Sequence, residues 1–142
     1  MSSQRPNSDR SHTIAVLVDN EPGVLARVIG LFAGRGYNIE SLTVSEVDAV
    51  KGYSRITIVT SGTDMVIEQI KALLDRLVPV HMVEDLTVQG PCLERELALV
   101  KVVNAGENRI EALRIADMFR ARAIDSTLNS FVFELTGSPK KL

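Results

Sequence analysis

Asn20, Gly23 and Asn38 have the types and the setting to hold a small zwitterion. Asn20-Glu21-Pro22-Gly23 is a break with turn chemistry, and apolar residues at helical spacing follow it. Gly23 has no side chain, so a ligand can approach its backbone. The first N–H groups of a helix lack internal acceptors and favour a carboxylate. Asn20 and Asn38 can each offer an acceptor to an ammonium and a donor to a carboxylate. Val24, Leu25 and Ile39 supply a candidate apolar wall. Together these suit a small aliphatic amino acid. The same residues also fit a tight strand–helix turn closed by a terminating Asn, and the pattern leaves both readings open.

Residues for catalysis are sparse. A Ser/His/Asp triad needs a histidine base, and the chain has two histidines, His12 and His81. His12 falls in an expected tail, and His81 opens a strand, where a surface or packing role is expected. With a lone cysteine, Cys92, they give no metal-ligand spacing. Cys92 is expected to be an inert thiol near a linker. Glu94 and Glu96 read as solvated strand-edge charges. Gly30, Gly34 and Gly36 lie within or end a helix, and no Gly-Lys-Ser/Thr follows. Lys51-Gly52-Tyr53 echoes an RNA-recognition signature, but Arg55 and Ile58 stand where that signature puts base-stacking aromatics.

The elements that would position the amino-acid site follow from periodicity. Residues 13–19 are β-branched-rich and read as a buried strand. A helix follows, with Leu25, Val28, Ile29 and Phe32 on one stripe, ended by Gly34-Arg35-Gly36. Residues 38–47 and 53–60 read as strands about a turn at 48–52, with Leu42 and Val44 sharing a face. Ser61-Gly62-Thr63-Asp64 caps a second helix with the stripe Val66, Ile70, Leu73, Leu74 and Leu77. Pro79 stops it, and residues 80–88 form a fourth strand. This order, βαββαβ, is the split βαβ of ferredoxin-like α+β folds. Two helices would cover one face of the sheet, leaving the other for a partner or a second copy.

After a linker at 89–92 the pattern restarts. A strand at 97–103, a turn at 104–108, a helix at 109–122 carrying Ala112, Ile115, Ala116 and Phe119, and strands at 124–128 and 131–136 give βαββ. The domain reading is a disordered tail over 1–12, a first domain over 13–88 and an incomplete second domain over 93–142. Leu99, Phe131 and Phe133 are expected to lose part of their apolar cover in that second unit.

Composition bounds the function. Hydrophobic residues make up 45% and charged residues 24%, so a packed core is expected. A net charge of -2 gives no electrostatic footprint for nucleic acid or an anionic membrane. No apolar run approaches the ~18 residues of a membrane span. The first twelve residues lack the apolar core of a secretory signal, so the expected compartment is the cytoplasm.

The stretch DNEPGVLARVIGLFAGRGYNIESLTV resembles the ACT domain that opens the small, regulatory subunit of acetolactate synthase. The similarity continues through SRITIVTSG, VEDLTV and ERELALVKV and spans residues 12 to 137. The resemblance implies a subunit without an active site or cofactor of its own. It implies a catalytic large subunit as partner, which uses thiamine diphosphate, Mg²⁺ and FAD to condense pyruvate with pyruvate or 2-oxobutyrate. It implies activation of that subunit and feedback inhibition by branched-chain amino acids, valine above all, bound where two ACT domains pair as a homodimer. The family's valine-binding positions match Asn20, Gly23 and Asn38, with Val24, Leu25 and Ile39 as neighbours. The family's C-terminal domain normally continues for some tens of residues, so the second unit is expected to be truncated. A free-standing amino-acid-binding ACT regulator of another enzyme or of transcription is the alternative.

Overall fold

The β-branched run of the first ordered stretch forms strand β1, Arg10–Asp19. It begins three residues before the expected start, because His12 is a core residue rather than part of a tail. His12 Nδ1 lies 2.7 Å from Asp85 Oδ2. Asp85 Oδ1 accepts the Thr87 N–H at 3.0 Å, and Thr87 Oγ1 accepts the Thr13 N–H at 2.9 Å. This short-range bond at Asp85 turns the chain, so strand β4, Val80–Asp85, ends three residues before the expected Val88. The computed structural model describes residues 9–103 and 106–142. The rest of the expected tail, residues 1–8, and residues 104–105 of the expected turn lie outside them.

Between β1 and β4 lie helix α1 (Val24–Gly34), strands β2 (Ser41–Asp48) and β3 (Tyr53–Gly62), and helix α2 (Asp64–Asp75). The four strands form an antiparallel sheet in the order β2-β3-β1-β4. Period-two alternation turns Ile14, Val16 and Val18 of β1 and Ile56 and Ile58 of β3 toward the helices. Val24, Val28 and Phe32 of α1 and Ile67, Ile70 and Leu74 of α2 complete the core.

Both helix stripes are rotated from expectation. On α1 the buried face is Val24, Val28 and Phe32, while Leu25 and Ile29 are 37% and 41% exposed. On α2, Ile67 is buried in place of the expected Val66 and Leu73, which are half-buried. Each helix is apolar around much of its circumference, so spacing alone did not fix its phase. Thr63 caps α2 by accepting the Val66 N–H at 3.3 Å, and Ser61 and Gly62 belong to β3 instead. The helix α2 touches β4, β1, β3 and α1, which leaves α1 to cover the β2 side, where Leu42 packs against the core.

The chain divides into two units between Cys92 and Leu93. The second holds β5 (Glu96–Val103), α3 (Arg109–Met118), β6 (Arg122–Ser126) and β7 (Ser130–Gly137), with sheet order β5-β7-β6. Helix α3 stops four residues short of the expected 122, because Arg120 takes a left-handed φ of 55° and the Ala121 N–H bonds back to Ala116 O at 2.8 Å. Phe131 and Phe133 are buried with Ala116 beneath the helix. Phe131 and Phe133 thus keep their cover, a correction to the expected loss, whereas Leu99 pairs with Glu134 on the opposite face from Phe133 and is 60% exposed, as expected. A groove of about 270 Å³ between the helix and the sheet is lined by apolar side chains including Val100, Ile115, Phe119 and Leu135.

Candidate functional site

The chain leaves β1 through a tied turn. The Asn20 N–H donates to Gly52 O at 2.7 Å, across the sheet in the β2–β3 turn. Gly52 itself has a φ of 68° in the turn that joins β2 to β3, and Tyr53 opens β3. The Asn20 side chain points to β2, where Nδ2 donates to Glu46 Oε2 at 2.7 Å. Beside it His81 Nε2 lies 2.6 Å from Asp19 Oδ1, and the Tyr53 ring packs against His81 with centroids 4.6 Å apart.

Gly23 is the N-cap of α1, at φ 85° and ψ -9°. That left-handed geometry is why glycine stands here. No side chain caps the helix, its first turn holds no acidic residue, and a Cβ at Gly23 would meet nothing within 4 Å. The Arg27 N–H bonds to Gly23 O at 3.1 Å. The Leu25 and Ala26 N–H groups therefore precede the first intrahelical donor, the Arg27 N–H, and face outward with the positive end of the helix. Open space, backbone donors and a neighbouring carboxylate form a polar corner of mixed sign.

The other half of the expected site is elsewhere. Asn38 follows the end of α1 in an exposed loop, and its carbonyl accepts the Thr60 hydroxyl at 2.6 Å. Glu40 N–H bonds to Val59 O at 2.8 Å and fixes the same loop. Asn20 thus sits at the Tyr53 end of β3 and Asn38 at the Thr60 end, ~23 Å along the strand at ~3.3 Å per residue. Helix α1, with 11 residues, separates them by ~16 Å. One chain brings Asn20 and Gly23 together and holds Asn38 and Ile39 apart from them.

The apolar wall also differs from expectation. Val24 is 5% exposed and belongs to the core, so it cannot line a ligand surface. Ile39 is half-buried against that core, and Leu25 lies on the outer stripe of α1. Glu46 was not among the expected residues of this corner, yet it accepts from Asn20. Its signal is the hairpin: the pairing of Glu46 with Ser54, and of Ser54 with Val18, brings position 46 near the end of β1. Cys92 is exposed, and among the described residues no three His, Cys, Asp or Glu side chains group as metal ligands. No described helix is long and apolar enough to cross a membrane.

Comparison with known proteins gives a consistent result for both units. Residues 14–82 match the model of the AHAS small subunit-like ACT domain, and residues 95–142 match that of the small subunit of acetolactate synthase. The chain is 47% identical over 131 residues to a probable acetolactate synthase small subunit from Archaeoglobus fulgidus, covering 92% of this chain and 80% of that one. It is 46% identical over 129 residues to the acetolactate synthase isozyme 3 small subunit of Escherichia coli, covering 91% and 78%. The crystal structure of the acetolactate synthase small subunit from Thermotoga maritima superposes with a TM-score of 0.82 at 38% identity, covering 93% of this chain and 81% of that one. With the βαββαβ unit and the second unit both accounted for, the chain belongs to the acetolactate synthase small-subunit family, with an N-terminal ACT domain.

Proposed function

We propose that this chain is a regulatory subunit of acetolactate synthase that binds a branched-chain amino acid, valine above all, at a site built by two copies. Its relatives' names support a catalytic large subunit as partner. In this reading the chemistry belongs to that subunit, with its thiamine diphosphate, Mg²⁺ and FAD, and this chain changes its rate. Coupling of ~1–3 kcal/mol between effector and partner is the usual scale of such control.

The separation of the site's halves along α1 carries the reading. Asn20 and Gly23 of one copy can meet Asn38 and Ile39 only of another. A two-fold pairing that sets α1 antiparallel to its mate brings the two ends together twice, giving two sites per dimer. Two features support pairing along this side. Strand β2 is an edge of the sheet, and its outer rim offers unpaired backbone groups. Leu25 and Ile29 form an exposed stripe on α1, and Val44 of β2 is exposed on the same side of the sheet.

The test mixes two damaged subunits with the cognate catalytic subunit. Gly23→Asp places a negative charge at the helix N-terminus, and Asp tolerates the left-handed backbone better than most residues. Asn38→His alters the other half. Each variant alone should activate the partner yet lose valine inhibition and calorimetric valine binding. Mixed in equal amounts they should recover about a quarter of the sites, since half the dimers are mixed and each holds one intact site. No recovery, or full valine binding by either variant alone, would refute the composite site. A parent chain that leaves the catalytic subunit's rate and valine response unchanged would refute the regulatory role.

A further inference from the structure

We propose that Glu46 makes the effector site selective for an amino acid over the 2-oxo acid of the same carbon skeleton. This rests on the effector reading above and concerns what that site discriminates.

An asparagine amide can face a zwitterion with either end, and the sequence leaves the choice open for Asn20. The structure decides it. Asn20 Nδ2 is turned to Glu46 Oε2 at 2.7 Å, so Oδ1 is turned away as an acceptor. The Glu46 carboxylate has no ion-pair partner among the described residues. Asn20 and Glu46 together therefore present acceptors and negative charge, which suit an ammonium and repel a carboxylate. The ligand carboxylate is left to the N-terminus of α1, where no side-chain cap and no first-turn acid compete for the N–H groups.

This division of charge discriminates in both directions. An ammonium donates to Asn20 Oδ1 and lies against Glu46. A 2-oxo acid has a carbonyl oxygen in that place, an acceptor facing acceptors. The penalty falls on the wrong ligand, and a site built to pair a polar group rejects the analogue lacking it. The 2-oxo acid is what an aminotransferase-class reaction converts into the amino acid, so the site would respond to the final product and not to its immediate precursor.

The experiment is calorimetric titration of the full chain with L-valine and with 3-methyl-2-oxobutanoate, in the parent and in Glu46→Gln and Glu46→Ala. Glu46 is exposed on an edge strand, so both variants should fold, and far-UV circular dichroism checks this. The parent should prefer valine strongly. Glu46→Gln should bind valine about tenfold more weakly, the scale of one hydrogen bond to a charged group. Its affinity for the oxo acid should stay level or rise. Glu46→Ala should behave likewise and more strongly. Variants that bind valine as the parent does, or that lose both ligands equally, overturn the proposal while leaving the effector site standing. A parent that binds no valine overturns both.

Discussion

Asp85 accepts two hydrogen bonds in a place with almost no solvent: from His12 Nδ1–H, on the first strand, and from the Thr87 backbone N–H. His12 Nε2 is buried without a hydrogen-bond partner, which suits an acceptor lone pair better than an N–H. Removing the acceptor strands two donors at once. Asp85→Ala should therefore cost about 2–4 kcal/mol, with ~1–3 kcal/mol for the buried His12 donor and about 1 kcal/mol for the partly exposed Thr87 N–H. Thermal unfolding measures it, and a loss under about 1 kcal/mol would mean that solvent reaches the pair. The sequence hid this pair because its members stand 73 positions apart. The same reason hid Glu46, whose place beside Asn20 depends on how β2 and β3 register. The place of Gly23 between a turn and a helix was legible because it is local, whereas its left-handed φ came from the structure. Val24 misled for a related reason, since an apolar residue after a glycine can face either core or ligand, and only the helix phase decides.

Among the elements, order and type were readable and phase was not. The βαββαβ succession follows from alternation in β1 and β3, helical spacing in α1 and α2, and breaks at Gly23, Gly36 and Pro79. The core face of α1 keeps the expected Val28 and Phe32 but turns to take in Val24 in place of Leu25 and Ile29, which are apolar too and remain on the surface. That surplus outer stripe is what a pairing surface needs. The end of α3 was misjudged because the residue that stops it is not a glycine. Arg120 holds a φ of 55°, where L side chains are strained. Arg120→Gly should relieve that strain and raise the stability of the second unit by up to ~1 kcal/mol. Urea unfolding followed by far-UV circular dichroism gives the check, and a destabilised variant would show that the arginine side chain contributes more than its backbone costs.

At the scale of the whole molecule the two units differ in what holds them. Among the described residues, eleven buried apolar side chains form the first core, whereas Ala116, Phe131 and Phe133 form the second. Burial contributes roughly 25 cal/mol per Å², so the second unit has much less to offset the entropy of ordering its chain. Its apolar groove beside α3 is open on one side as well. Amides of β5, α3, β6 and β7 should therefore exchange with deuterium faster than those of β1 to β4, through local unfolding of the weaker unit. Equal protection in both, measured on the chain without its partner, would mean that the small core suffices. The division of the chain also falls where it can be observed. Cys92 is the single cysteine of the sequence, it is exposed, and it is the last residue of the first unit. A maleimide dye or a nitroxide would attach there without any engineering, on a residue outside every helix and strand and outside both cores. The natural sequence thus carries its own reporter at the junction, and the tumbling of that one label, recorded as an amino acid is added, would tell whether news of binding crosses from one half of the chain to the other.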